Sequence, residues 1–166
     1  QLHYKQILDE FRDASTDILR VVCDQVRSRG KRVLASARMS DVHHASGIYE
    51  FLSPQFMRDH PEWRIKKSDG SRDVAMDYSH EGVRAHRLAI FTELAESYDI
   101  DGLELDFMRS CRFFAPEEAE TKCAILTDFV GQIRTMLNRV ARERGREKFI
   151  LGVRMPPGLN ECSALG

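Results

Sequence analysis

Residues 101–109 read DGLELDFMR, and the placement of their carboxylates decides the fold. Leu103, Leu105 and Phe107 alternate with Glu104 and Asp106. Successive side chains of a strand point to opposite faces. One face of this segment is therefore apolar, and the other carries two acids roughly 6–7 Å apart along the chain. The flanking sequence places the strand between helices. Upstream, Val83, Ile90, Phe91, Leu94 and Tyr98 recur at helical spacing and predict a helix over 81–98, with Ser79 as its N-cap. Downstream, Ala119, Cys123, Leu126, Val130, Ile133, Leu137 and Val140 form a regular three-to-four series. They predict a helix over 116–144, opened by Pro116 and closed by Gly145.

The same order of helix, short turn and strand occurs three times. The first helix is expected over 15–29 on the stripe Ile18, Leu19, Val22, Cys23 and Val26, capped by Ser15 or Thr16 and ended by Gly30. A strand over 33–38 follows it, and a third strand, over 149–155, follows the last helix and stops at Pro156 and Pro157. A short amphipathic piece carrying Tyr4, Ile7, Leu8 and Phe11 precedes these units. Helices alternating with strands imply a parallel sheet. If helices cover the face of Leu103, Leu105 and Phe107, then Glu104 and Asp106 face something polar. A doubly wound sheet buries both of its faces under helices. A barrel turns the second face inward and brings strand C-termini to an active-site mouth. The expected fold is thus α/β with parallel β/α units, an incomplete (β/α)8 TIM barrel of about three inner strands with their helices, forming a single domain over 1–166.

The stretch 39–80 is the anomaly in this pattern, because structureless loops beyond ~15 residues are uncommon and often functional. Within it, LSPQFMRDHPEW suggests a short helix capped by Ser53 with Pro54 at its first position. Tyr49, Phe51 and Phe56 are expected to pack this loop down.

Bulk properties narrow the partners. At 166 residues the chain has the size of one domain, with 42% apolar and 31% charged residues and a formal net charge of −1. It shows no basic stripe, so nucleic acid is not an expected partner. No apolar run approaches the ~20 residues of a membrane span, so no membrane partner is expected. The four cysteines, Cys23, Cys111, Cys123 and Cys162, form no CxxC pair, which suggests buried or free thiols rather than a zinc site or disulfide framework. No signal peptide is visible, and the chain starts at Gln1 rather than at a methionine, so the compartment stays open.

Every predicted strand ends in polar, reactive groups. The first leads into Arg38, Asp41, His43 and His44, the second carries Glu104 and Asp106 with Arg109 after it, and the third carries Arg154. Arginines and carboxylates converging on strand C-termini match a barrel active site. An arginine beside a carboxylate favours its ionised form, as a nucleophile or a stabiliser of an oxocarbenium-like centre needs. Glu104 and Asp106 could equally be ionic partners of Arg38 and Arg154 with no catalytic task. Arg109 could simply pair with Asp106. Asp41 and His43 could share a face and hold a metal ion or bond a substrate. Trp63 could stack on a sugar ring or pin the long loop.

At YDIDGLELDFMR (98–109) the sequence resembles glycoside-hydrolase barrels, specifically the glycosyl-hydrolase-like families related to family 10. ARMSDVHH (37–44), HPEWR (60–64), DYSHEGVR (77–84) and LGVRMP (151–156) resemble blocks of that group in the right order, over about residues 16–157. The resemblance implies a TIM barrel that acts on or binds carbohydrate, with no cofactor, the three strands being roughly the third to fifth. It implies Asp106 and Glu104 as catalytic candidates, and Arg38, Asp41, His43, His44, Arg109, Arg154 and Trp63 as substrate-binding candidates, with no metal. Ser40 stands where such sequences often have Asn. The stretch also resembles the chitinase-type strand, but Met108 occupies the place of its proton-donating Glu. The amylase-type strand puts its nucleophile at the place of Asp106, but has Arg at the place of Glu104. Asp101 reads as a turn or capping residue.

Eight strands with their helices need ~200 residues or more. The chain is therefore expected to be part of a longer barrel, with the missing barrel segments of the parent chain as its partners and the second catalytic acid among them. Three functions follow as expectations: a barrel hydrolase cleaving O-glycosidic bonds, a non-catalytic carbohydrate-binding barrel, or a metal-dependent barrel hydrolase acting through Asp41 and His43.

Overall fold

A computed structural model describes residues 2–45 and 51–156. In chain order the elements are α1 (Leu2–Asp13), α2 (Ile18–Arg27), β1 (Leu34–Arg38), α3 (Gln55–Asp59), β2 (Arg64–Lys66), β3 (Arg72–Met76), α4 (Glu81–Ser97), β4 (Gly102–Asp106), α5 (Ala119–Glu143) and β5 (Ile150–Arg154). The DGLELD segment is β4, the central strand of a three-stranded parallel sheet of order β1-β4-β5.

The sheet has two chemically distinct faces. Leu103 lies in register between Ala35 and Leu151, and Leu105 between Ala37 and Val153. Leu103 and Leu105 are fully buried in one apolar cluster with Cys23 of α2, Phe91 and Ala95 of α4, and Phe129, Ile133 and Leu137 of α5. Each side chain of this size contributes roughly 1.5–3 kcal/mol on burial. On the opposite face, Glu104 lies between Ser36 and Gly152, and Asp106 between Arg38 and Arg154. Parallel crossovers are right-handed. Because both crossovers step in the same direction across the sheet, from β1 to β4 to β5, their helices fall on the same side. A doubly wound sheet would reverse direction and cover the second face.

The elements follow the expected pattern, with shifts at their ends. The helix expected to open at Ser15 or Thr16 opens at Ile18, with Asp17 as N-cap; its Oδ1 accepts the Arg20 amide at 2.8 Å. Ser15 instead adopts a left-handed φ of 54° in the turn that ends α1, and a helix cannot begin through that conformation. His80, not Ser79, occupies the N-cap position of α4 and makes no side-chain cap bond. The Asp77 carboxylate accepts the Ser79 amide at 2.8 Å, so the turn before α4 is held from two residues before the expected serine cap. Pro116 opens a single 3-10 turn, Pro116–Glu118, and α5 proper starts at Ala119.

The long connection is not structureless. It contains α3, preceded by Pro54 at the cap position rather than by a Ser53 cap, and an antiparallel pair of β2 and β3. Asp69 and Gly70 form the turn: Asp69 Oδ1 accepts the Ser71 amide at 2.9 Å and Gly70 has a φ of +83°. Phe56 stacks face to face on His86 of α4 at 3.8 Å and lies 5.7 Å from Trp63, tying the connection to the helix layer. Tyr49 and Cys162 lie outside the described residues.

The N-terminal ends of the strands are tied together by Asp101. Its backbone N–H donates to Val33 O at 2.7 Å, its carbonyl accepts from Ile150 N at 2.9 Å, and its carboxylate accepts from Val33 N at 2.7 Å and from Arg27 at 2.9 Å. This is the structural use expected of Asp101. It leaves the opposite, C-terminal edge of the sheet for chemistry.

Candidate functional site

Glu104 and Asp106 share the uncovered face of β4, and one arginine of the neighbouring strand reaches both. Arg154 is ion-paired with Glu104, one terminal nitrogen lying 2.9 Å from Oε1, and its other terminal nitrogen lies 3.9 Å from Asp106 Oδ2. The Ser36 hydroxyl donates to the same Glu104 Oε1 at 2.8 Å. Asp106 Oδ1 accepts the Met108 amide at 3.0 Å, which fixes the carboxylate where the chain leaves the strand. Asp106 is only 6% exposed, whereas Glu104 is half-buried. Gly152, in register beside Glu104, has no side chain to fill the space next to it.

A second group is built by the turn after β1. Asp41 Oδ1 accepts the backbone N–H of His43 at 3.1 Å and lies 2.7 Å from His43 Nδ1. Asp41 Oδ2 accepts from Arg38 at 3.3 Å. An ionised carboxylate can only accept, so the ring proton sits on Nδ1 and the lone pair on Nε2. An Arg109 N–H faces that Nε2 at 3.3 Å, which suits this tautomer. Arg38 also comes within 3.3 Å of His43 Nδ1; with the proton there, this is a close approach and not a hydrogen bond. Burial alone would raise the Asp41 pKa, but the His43 amide, the His43 ring and the Arg38 charge outweigh it and hold the carboxyl below its ordinary value.

The two groups meet at the C-terminal edge of the sheet, where Arg38, Asp106 and Arg154 are register partners on adjacent strands. The end of β1 is anchored from behind by Arg87 of α4. Its guanidinium donates to the carbonyls of Arg38 and Met39, the latter at 2.9 Å, and to the Tyr78 hydroxyl at 3.2 Å. Tyr78 in turn donates to the Met39 carbonyl. Ser36 and Arg87 escaped the sequence reading. Ser36 was legible in principle, since it lies two residues before Arg38 and so shares its face. Arg87 had no such signal, because the backbone carbonyls it holds lie nearly fifty residues away.

The remaining candidates separate. Arg109 does not pair with Asp106; its guanidinium goes to His43. His44 lines the same cavity as Arg38, Asp41 and His43, of about 520 Å³. Its Nε2 is buried without a hydrogen-bond partner among the described residues. Burial, aided by the Arg64 charge, lowers the His44 pKa, which keeps the ring neutral at pH 7. Trp63 is not at the carboxylates. One of its faces stacks on His60 at 3.8 Å, and Gly82 packs so close that an added Cβ would lie 2.3 Å from the indole. Among the described residues, no three His, Cys, Asp or Glu side chains converge as a metal-ligand set.

No family model matches this sequence, and no curated protein matches it. Two carboxylates bridged by an arginine, beside an aspartate-oriented histidine, can stabilise positive charge, bond hydroxyl groups and move a proton.

Proposed function

We propose that this chain is part of a (β/α)8 barrel that acts on carbohydrate, as a glycoside hydrolase with its reaction centre at Asp106 and Glu104. The observation that carries the reading is the uncovered sheet face whose C-terminal edge gathers Arg38, Asp106 and Arg154 in register. Barrel enzymes draw their reacting groups from the C-terminal ends of several strands. Sequential strand order with the helices on one side supports the barrel over a doubly wound sheet. Exposed Leu34, Val153 and Met155, at 43%, 47% and 43%, lie on or just past the two outer strands. Further β/α units of the same protein would cover them and close the polar face into a pocket. Within it, the carboxylates would face the developing positive charge of an oxocarbenium-like centre, while Arg38, Arg109 and Arg154 orient them or bind sugar hydroxyls.

The test is reducing-sugar release by the protein across a polysaccharide panel, with Asp106→Asn matched to wild type by melting temperature. A loss of about 100-fold or more in the variant fits a positioned catalytic group. A second reading, a sugar-binding barrel without turnover, is favoured by the engagement of both acids with Arg154. It takes over if neither protein cleaves any glycan and both bind the same one.

A further inference from the structure

Double-displacement hydrolysis needs a group that first gives a proton and later takes one back. Glu104 and Asp106 lie two residues apart on one strand and share Arg154. They are poorly placed to act from opposite sides of one glycosidic bond. The chain holds another candidate. His43 lies at the same edge of the sheet, lines the 520 Å³ cavity and is held in one tautomer. Two bonds hold it: the 2.7 Å contact of Nδ1 to Asp41, and the 3.1 Å bond from its own backbone amide to the same carboxylate oxygen. This combination fixes the ring plane and aims Nε2 away from Asp41. The only described group at Nε2 is the exposed Arg109 guanidinium at 3.3 Å, which a substrate oxygen can replace.

We infer that His43 is the proton-transfer residue of this site, with Asp41 as its positioning residue. The inference rests on the hydrolase reading and deepens it. In the first half of the cycle, Nε2 of His43, protonated from solvent as Arg109 is displaced, passes that proton to the glycosidic oxygen. The bond from that oxygen to C1 breaks as a carboxylate oxygen of Asp106 or Glu104 bonds C1. In the second half, neutral Nε2 takes a proton from water. The water oxygen bonds C1, and the carboxylate departs with the electron pair of its own bond to C1. One water is consumed, the proton that Nε2 takes up is finally returned to solvent, and the anomeric configuration is retained. The charges around the ring are Asp41 and Arg38 from β1 and its turn, Arg109 from the segment after β4, and Arg87 of α4 and neutral His44 across the cavity. Arg109 leaves when a substrate oxygen takes its place.

The experiment uses the protein on whichever glycan it cleaves, together with an aryl glycoside of the same sugar. His43→Ala should lower kcat/KM on the glycan by about 10²–10⁴-fold. The loss should be much smaller on the aryl glycoside, whose leaving group needs no proton, and added imidazole should restore part of the activity. Asp41→Asn should lower kcat/KM on the glycan far more than on the aryl glycoside, with little change in melting temperature, because it frees the ring from the orientation that aims Nε2 at the substrate. If wild type cleaves glycan and His43→Ala keeps activity within threefold, with the same pH profile and no response to imidazole, the inference falls and the hydrolase reading stands. If wild type cleaves nothing, both fall together.

Discussion

Gly102 opens β4 with its hydrogen against the backbone of β5, and replacing it by alanine probes whether the sheet is as tightly registered as described. A Cβ built there would lie 2.2 Å from Ile150 O, 2.8 Å from Ile150 C and 2.7 Å from Ile150 Cβ. Ordinary contacts between such atoms fall at ~3.5–4.0 Å, so β4 and β5 would have to separate by more than ~1 Å. Neither strand can yield alone. Five consecutive residue pairs join them, and Ile150 N also donates to Asp101 O at 2.9 Å. Overpacking against a rigid backbone costs about 3 kcal/mol, and removing a strand glycine returns about 0.5–1 kcal/mol through the unfolded state, a net loss of about 2 kcal/mol. For a chain of this size that corresponds to a fall in Tm of about 4–8 °C. The internal comparison is Gly131→Ala on the exposed side of α5, where an added Cβ meets nothing within 4 Å. It should stabilise by roughly 0.5–1 kcal/mol. Thermal and urea unfolding of both variants, followed by circular dichroism, gives the two signs side by side. A Gly102→Ala protein that melts at or above wild type would refute the close β4–β5 approach.

Other perturbations probe the same architecture. At Asp101, burial raises the pKa, but the Val33 amide and the Arg27 charge outweigh it and leave the carboxyl below its ordinary value. A depressed folded pKa stabilises the protein above the unfolded value of ~3.9, and that contribution is lost as pH falls through the folded pKa. Stability should therefore drop on acidification below about pH 4, and Asp101→Asn, costing about 1–2 kcal/mol at pH 7, should flatten that part of the curve in pH-dependent urea titrations. Gly82→Ala would place a Cβ 2.3 Å from the ring of Trp63, the chain's one tryptophan. Its intrinsic fluorescence should shift to the red as the ring leaves His60 and becomes more exposed, and an unchanged emission maximum would count against the packing described.

The alternation of Leu103, Glu104, Leu105 and Asp106 was enough to place two acids on one face of a strand, because a strand has a period of two. The helical stripes around it were enough to place parallel β/α units, since apolar spacing reports which side of a helix is covered. The hairpin of β2 and β3 was missed because three residues, Arg64–Lys66, are too few to show a period. Helix starts were missed by three residues at α2 and α5, and the cap of α4 by one although its start at Glu81 was met, because several neighbouring residues can cap and only the path of the preceding turn chooses among them.

The residue types of the candidate site were legible, but their partners were not. Arg154 was expected near the acids; that one guanidinium reaches both follows from the parallel register of β4 and β5. Arg109 was open between binding substrate and pairing with Asp106; the turn after β1 brings His43 to it. Trp63 was open between sugar and loop; the stacking of His60 on its ring and the close approach of Gly82 are contacts made by segments up to nineteen residues away. Sequence by itself determined what is local in this protein: periodicity, strand direction and the chemical type of each strand end. Tertiary structure decided what depends on distant segments meeting, because hydrogen bonds and ion pairs form over a few ångströms and no local pattern records which far residue will arrive there.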